Sequence, residues 1–186
     1  MQDKDKPLWR SMLYVPATSE KFIEKAHERG ADAIKIDLED AVAPKEKDTA
    51  RKLVKDAAQL VSRGSADVLV RINRPLRMAV ADIESSIWPE VCGLVLPKVD
   101  SADQINFLCE IITELEEERG LDIGHTKLMV LIETPRGYSN VRSIASSSKR
   151  LSAIALGQED FSAEMGMLEP EGCLLYTSDA ADDLYR

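Results

Sequence analysis

The stretch Val-Leu-Val-Arg-Ile-Asn, residues 68–73, places an arginine near the end of a short apolar run. The arrangement recurs twice with acids: Glu133 follows the run at 129–132, and Asp160 ends Ala-Leu-Gly-Gln-Glu-Asp. Short apolar runs of this kind are typical of buried strands. A cation and two carboxylates, each just past such a run, indicate a barrel that gathers its chemistry at one rim.

Further apolar runs alternate with amphipathic segments along the chain. The predicted strands are Ser11–Pro16, Ala33–Leu38, Val68–Ile72, Gly93–Val99, Leu128–Ile132 and Ala153–Leu156. The predicted helices are Ser19–Arg29, Pro44–Arg63, Ala79–Ile87, Ala102–Arg119 and Tyr138–Ala145, with Ser19 and Ser101 as N-caps and Gly30 and Gly120 as C-caps. This alternation predicts an α/β fold with a parallel sheet, either doubly wound or closed into a (β/α)8 TIM barrel.

The strand ends favour the barrel. No glycine-rich dinucleotide fingerprint follows the first strand, and most strands end on polar or charged residues. A doubly wound sheet binds ligands at one switch point, whereas a barrel draws on most strand ends. Since a complete barrel has eight units and about 250 residues, we expect an incomplete TIM barrel of about six β/α units.

The length and the last residues decide the predicted domain organisation. A chain of 186 residues suits one domain. The segment 173–182, Cys-Leu-Leu-Tyr-Thr-Ser-Asp-Ala-Ala-Asp, looks like translated sequencing-adapter DNA, although an ordinary helix start is the alternative. We therefore expect a partial TIM-barrel domain over residues 1–172 and a non-native tail over residues 173–186.

Composition narrows the possible partners. Hydrophobic content of 44% and charged content of 31% are ordinary for a globular protein, and a net charge of -9 disfavours nucleic acid or an acidic membrane as partner. The N-terminus lacks the apolar stretch of a signal peptide, and no apolar segment is long enough to span a membrane. Three scattered cysteines show no metal-binding spacing or disulfide framework. Cytoplasm is the expected location.

Strand alternation predicts which side chains converge at the rim. Three sets are expected to face one cavity: Leu69, Arg71 and Asn73; Met129, Leu131 and Glu133; and Leu156, Gln158 and Asp160, if the strand extends that far. Two carboxylates with room for water suit Mg²⁺, which can stabilise a developing enolate. The alternatives are that Glu133 is a helix cap or surface acid, that Asp160 caps a helix, and that Arg71 forms a strand-end salt bridge.

Two further polar groups lie near predicted strand ends. Asp37, Glu39 and Asp40 could hold waters or orient Arg71, or form a solvated acidic turn. Lys98 could bind an anion or pair with a nearby acid.

Six segments in order carry a family resemblance. They are Arg-Ser-Met-Leu-Tyr-Val-Pro at 10–16, Gly-Ala-Asp-Ala-Ile-Lys-Ile-Asp-Leu-Glu-Asp-Ala-Val at 30–42, Val-Arg-Ile-Asn at 70–73, Leu-Pro-Lys-Val at 96–99, Ile-Glu-Thr at 132–134 and Gly-Gln-Glu-Asp-Phe at 157–161. From Arg10 to about Gly166 the chain resembles the citrate lyase β-subunit and malyl-CoA lyase family.

The resemblance implies a role for each matching residue. It implies that Glu133 and Asp160 bind Mg²⁺ and that Arg71 binds a substrate carboxylate. It also implies that Glu133 takes part in substrate binding. Glu39 and Asp40 match catalytic acids near the metal's waters. Arg10 matches a position near the CoA in relatives that use acyl-CoA.

The implied reaction is carbon–carbon cleavage of a citryl-, malyl- or citramalyl-CoA type thioester to acetyl-CoA and a 2-oxo acid. The alternatives are a class II pyruvate aldolase, a thioester hydrolase and a non-catalytic CoA-binding regulatory barrel. The resemblance implies that the full-length protein is a homotrimer or hexamer. It also implies a C-terminal lid with an acid, as in relatives that use CoA, which nothing here matches. We therefore expect this polypeptide alone to be inactive or poorly folded, because its open strand edges invite aggregation.

Overall fold

Six parallel strands form one sheet in chain order, from β1 to β6. The computed structural model describes residues 7–167, so the predicted tail at 173–186 lies outside the described residues. The strands are β1 Met12–Pro16, β2 Ala33–Asp37, β3 Asp67–Arg71, β4 Gly93–Leu96, β5 Lys127–Ile132 and β6 Leu151–Leu156. The helices are α1 Glu20–Ala26, α2 Lys47–Val61, α3 Leu76–Ser86, α4 Ala102–Glu118, α5 Pro135–Ser139, α6 Val141–Ala145 and α7 Gln158–Glu164, with a 3₁₀ turn at Pro44–Glu46.

The sheet buries apolar side chains on both faces. Its outer face packs against the helices in a large core that includes Ile34, Val70 and Leu94. Its inner face carries a smaller cluster formed by Ala33, Leu69, Val95, Met129 and Leu131. Helices outside and packed side chains inside are the arrangement of a TIM barrel. Within residues 7–167, β1 and β6 do not pair with each other, so the predicted incomplete barrel of six β/α units is confirmed.

The predicted elements are confirmed with three differences in the helices. Helix α3 begins at Leu76, directly after Pro75, rather than at Ala79. The segment predicted as one helix from Tyr138 divides into α5 and α6. Helix α7 was not predicted, because its first residues were assigned to an extended strand.

The predicted caps are partly confirmed. The side chain of Ser101 accepts a hydrogen bond from the Gln104 N–H, whereas Ser19 occupies the N-cap of α1 without a side-chain hydrogen bond. Gly120 directly follows Arg119, the C-cap of α4, with a φ of 67°, a conformation that favours glycine. Helix α1 ends at Ala26 with His27 as its C-cap, so the prediction that Gly30 caps it is wrong.

A buried ion pair links helix α4 to the strands behind it. Both Arg150 Nη atoms donate to the Glu116 carboxylate, at 2.8 and 2.6 Å, and Glu116 also accepts from the backbone of Gly124 and Thr126. Burial opposes the charge of Glu116, yet these donors together lower its pKa below the usual value. The pair therefore stabilises the fold rather than a site at the rim.

The amino-terminal edge of the sheet is closed by polar contacts. Trp9 Nε1 donates to the Asp67 carboxylate at 2.7 Å, and Arg10 pairs with Asp32 at 2.7 Å.

None of the helices within residues 7–167 combines the length and apolar character needed to cross a membrane.

Candidate active site at the carboxyl edge of the sheet

The carboxyl ends of the strands bring together most of the predicted site residues. Asp37 and Arg71 end β2 and β3 and pair in register, and Glu133 directly follows β5. Asp160 is the third residue of α7, so the prediction that it ends an extended strand is wrong. The chain turns at Gly157 and delivers the Asp160 carboxylate from the first turn of a helix instead.

Asn73 does not share the inner face with Arg71, contrary to the alternation pattern. Strand β3 ends at Arg71, and the Asn73 side chain donates to the Leu38 carbonyl and to the Asp82 carboxylate on α3. Asp82 in turn pairs with Arg51 at 2.7 Å. Asn73 therefore joins the loop after β3 to the helical layer.

Three carboxylates surround the Arg71 guanidinium. Asp37, fully buried, accepts from Nε and Nη2 at 2.8 and 2.6 Å. Glu39 and Asp40 approach Nη1 at 3.0 and 3.3 Å. These contacts confirm the prediction that the acidic cluster orients Arg71. The strand-end salt bridge that was considered for Arg71 is also confirmed. Burial opposes the positive charge, but Asp37 raises the pKa of Arg71 above its usual value.

Glu39 is the carboxyl group whose protonation changes near neutral pH. Burial, helped by repulsion from Asp40 and Glu133, raises its pKa to about 7 despite the contact with Arg71. Arg71 offsets part of this rise, and its charge is also shared with the fully buried Asp37 carboxylate. Glu39 can therefore hold or release a proton at physiological pH.

Lys98 connects the two predicted metal ligands. Its backbone N–H donates to Glu133 Oε2 at 2.8 Å, and its Nζ lies 3.0 Å from Asp160 Oδ1. Lys98 has a φ of 49°, a conformation that non-glycine residues seldom adopt. Of the two roles considered for Lys98, pairing with a nearby acid is confirmed. Glu133 and Asp160 thus both contact Lys98, so they lie at the same end of the molecule rather than at opposite ends.

Glu133 is a buried carboxylate whose negative charge is only partly offset by the neighbouring Lys98 and Arg71. It is 5% exposed, and Thr134 rather than Glu133 caps α5, so the alternative of a helix cap or surface acid is wrong. Burial raises its pKa, and the nearby Asp160 charge adds to this shift. The Asp160 alternative is also wrong, because Gly157 occupies the N-cap position of α7.

Gly157 makes room for the Glu133 side chain. A Cβ at position 157 would overlap Cγ, Cδ and Oε1 of Glu133. The φ of Gly157 is -83°, which any residue can adopt, so this contact rather than backbone freedom requires glycine. The first turn of α7 and the Glu133 carboxylate are therefore packed together.

The donor set fits a hard divalent cation with few protein ligands. Within the described part of the chain, no group of three His, Cys, Asp or Glu side chains is arranged to enclose a metal ion. Mg²⁺ does not need such a group, since one or two carboxylates plus waters and substrate oxygens commonly bind it. Burial and the Asp160 charge raise the pKa of Glu133 despite the neighbouring Lys98 and Arg71 cations, so a cation at Glu133 and Asp160 would further stabilise its charged form.

Lys35 and Tyr14 belong to the same inner face and were not predicted. Lys35 Nζ donates to the Tyr14 hydroxyl at 3.2 Å, and Arg71 Cζ lies 4.7 Å from the Tyr14 ring centroid. The signal was present, because alternation puts Lys35 on the same face as Asp37. Locating Tyr14 beside them required the pairing register of β1 and β2.

Arg10 is not brought together with the other site residues. It precedes β1 at the amino-terminal edge of the sheet, is largely exposed and pairs with Asp32. Binding of CoA by Arg10 stays a prediction.

Comparison with known proteins agrees with this geometry. Residues 10–182 match the HpcH/HpaI aldolase/citrate lyase family. The chain belongs to this family. The predicted resemblance to citrate lyase β-subunits and malyl-CoA lyases is therefore confirmed, and the family is one of lyases.

Individual relatives support the assignment. The citrate lyase subunit beta of Leuconostoc mesenteroides subsp. cremoris is 39% identical over 159 residues, which cover 85% of this chain and 53% of that protein. The L-malyl-CoA/beta-methylmalyl-CoA lyase of Rhodobacter capsulatus is 34% identical over 162 residues, covering 85% of this chain and 51% of that protein. The chain thus spans about half the length of the curated relatives it matches.

A solved structure supports the fold. The citrate lyase beta subunit from M. tuberculosis, complexed with oxaloacetate and magnesium, superposes with a TM-score of 0.62. The match is 24% identical and covers 85% of this chain and 62% of that chain.

Proposed function

We propose that the protein is a magnesium-dependent carbon–carbon lyase acting on a citryl-, malyl- or citramalyl-CoA type thioester, with acetyl-CoA and a 2-oxo acid as products. The observation that carries this proposal is the meeting of Glu133 and Asp160 at Lys98, on the carboxyl edge that also holds Arg71. The relatives named as citrate lyase and malyl-CoA lyase support the choice of substrate class.

Glu133 and Asp160 would hold the metal, and bound Mg²⁺ supplies positive charge for the oxygen of a developing enolate. Arg71 binds the carboxylate of the 2-oxo acid. Asp40 makes the longest and most exposed contact to Arg71, so it is the partner that an incoming carboxylate displaces. Asp37 keeps the guanidinium in place throughout.

Glu39 moves the proton in this proposal. Its Oε2 lies 3.0 Å from Arg71 Nη1, beside the position assigned to the substrate carboxylate. Because the pKa of Glu39 is about 7, Oε2 can take up or return a proton at neutral pH. The buried side chains of Leu69, Val95, Met129 and Leu131 on the inner face of the sheet exclude water from the site.

Calorimetric titration with Mg²⁺, in the presence of oxaloacetate or glyoxylate, tests the metal assignment. We expect Glu133→Ala and Asp160→Asn to weaken binding at least about tenfold, because each removes one of two protein ligands. Glu159→Gln is the matched control, since Glu159 is the exposed acid next to Asp160. Normal binding by a folded Glu133→Ala variant would contradict the assignment.

Product analysis of the full-length protein separates the reaction types, because this polypeptide alone is expected to be inactive or poorly folded. A lyase releases acetyl-CoA from malyl-CoA, a thioester hydrolase releases free CoA, and a class II aldolase condenses pyruvate with an aldehyde. A non-catalytic CoA-binding barrel does none of these. Light scattering of the full-length protein tests the proposed homotrimer or hexamer.

A further inference from the structure

Lys35 is a buried amine that the proposed lyase reaction does not use. It lies in the middle of β2 on the inner face and is 4% exposed. Its Nζ donates to the Tyr14 hydroxyl at 3.2 Å and lies 4.5 Å from the Tyr14 ring centroid. Within residues 7–167, no carboxylate lies within salt-bridge distance of Nζ, whereas Arg71 and Lys98 both have acidic partners. Among the residues that the structure describes, Lys35 is therefore a cation without a counterion.

The surroundings make the Lys35 amine a better nucleophile than a surface lysine. Burial, and then the positive charge of Arg71, lower its pKa to about 8. At pH 7.5 roughly a quarter of such amines are unprotonated, compared with on the order of a thousandth of exposed lysines. A lysine that is desolvated and lies next to another cation is activated towards carbonyl carbons.

Arg71 lies where it can present a carbonyl to Lys35. Arg71 Cζ and Lys35 Nζ lie 4.7 and 4.5 Å from the centroid of the same Tyr14 ring. In a 2-oxo acid, the carbonyl carbon is bonded directly to the carboxylate. A carboxylate bound at Arg71 would therefore bring the carbonyl towards the Lys35 amine. Tyr14, which contacts both cations, is itself 42% exposed.

We propose that Lys35 Nζ forms a reversible imine with the carbonyl carbon of a small 2-oxo acid. The amine nitrogen adds to the carbonyl carbon, and the carbonyl oxygen leaves as water when the carbon–nitrogen double bond forms. The ammonium and the 2-oxo acid thus give a protonated imine and one water, with no oxidant or reductant consumed. The Tyr14 hydroxyl, hydrogen-bonded to Nζ, transfers the proton that the departing oxygen needs, and its side chain rotates to admit the acid.

This activity depends on the proposed function only through carboxylate binding at Arg71, and it needs no metal. The two can therefore be tested separately. An imine formed in the presence of EDTA supports the Lys35 proposal whether or not Mg²⁺ binds to Glu133 and Asp160.

Reductive trapping tests the proposal. The protein is incubated with glyoxylate and cyanoborohydride at pH 7.5 in EDTA, and lysine carboxymethylation is followed by peptide mass spectrometry. We expect Lys35 to be modified at least about tenfold faster than the exposed Lys45 and Lys52, because far more of its amine is unprotonated.

Three variants sharpen the result. Lys35→Arg keeps a cation but should abolish the fast modification, and Lys52→Arg, the matched surface control, should leave it unchanged. Tyr14→Phe should slow it several-fold, because it removes the proton-transferring hydroxyl. If Lys35 in the wild-type protein reacts no faster than Lys45 and Lys52, or if the fast reaction persists in folded Lys35→Arg, the proposal is overturned.

Discussion

Replacing Gly157 by alanine tests whether the close contact with Glu133 shapes the site. The added Cβ would overlap Cγ, Cδ and Oε1 of Glu133, whose Oε2 accepts the Lys98 N–H at 2.8 Å. Overpacking typically costs about 1–3 kcal/mol, and the loss of a hydrogen bond to a charged group costs about 1.5–3 kcal/mol. Since the two costs are alternatives in part, we expect the free energy of unfolding to fall by about 2–4 kcal/mol.

Thermal unfolding and Mg²⁺ titration measure the two consequences. For a chain of this size, that loss lowers Tm by about 5–15 °C, and displacement of Glu133 should weaken Mg²⁺ binding about tenfold. Gly30→Ala is the control: it carries the strain of a positive φ in open space, far from Glu133, so it should lower Tm without changing metal binding.

A double variant decides whether the clash is the cause. In Gly157→Ala/Glu133→Ala the overlapping side chain is absent, so the double variant should be no less stable than Glu133→Ala alone. Equal Tm and metal affinity for Gly157→Ala and wild type would refute the reasoning, as would strict additivity of the two substitutions.

Three further outcomes are expected. Glu116→Gln leaves Arg150 buried without its partner and should destabilise the chain by about 3–5 kcal/mol at pH 7. Because the pKa of Glu116 is lowered, the wild type loses this contribution as the pH falls below about 4.5. Urea unfolding of both proteins should therefore show a smaller stability difference below that pH. Glu39 has a raised pKa of about 7, so wild type should lose about 1–3 kcal/mol between pH 5 and pH 8 while Glu39→Gln does not, as the same measurement would show. Within residues 7–167, Leu156 is 55% exposed on a strand that pairs only with β5, so Leu156→Lys should reduce self-association in sedimentation velocity, and unchanged association would contradict a role for this edge.

The sequence was sufficient to predict the strands and the placement of two of the three rim residues. Arg71 and Glu133 follow apolar runs whose alternation fixes the side-chain direction, so their convergence could be predicted from local pattern alone. Asp160 was placed in an extended strand because Gln-Glu-Asp carries no apolar residue that reveals a helical period. Its carboxylate still reaches the rim, since the first turn of α7 begins there.

Contacts between distant residues could not be predicted from the sequence. That Gly157 accommodates Glu133 depends on the pairing of β5 with β6, and the contact of Lys98 with both acids depends on a positive φ that lysine rarely adopts. Lys35 was predictable as an inward-facing residue. That it has no counterion within residues 7–167 was not predictable, because the positions of all neighbouring carboxylates decide this.

The polar contacts of Trp9 and Arg10 with Asp67 and Asp32 hold one end of the sheet by means unrelated to the chemistry at the other end. Changes in the loops at the carboxyl edge of the sheet can therefore accumulate without loosening that anchorage. Such separation leaves the scaffold free to diversify: new specificities can be selected at one end while the opposite end preserves the architecture.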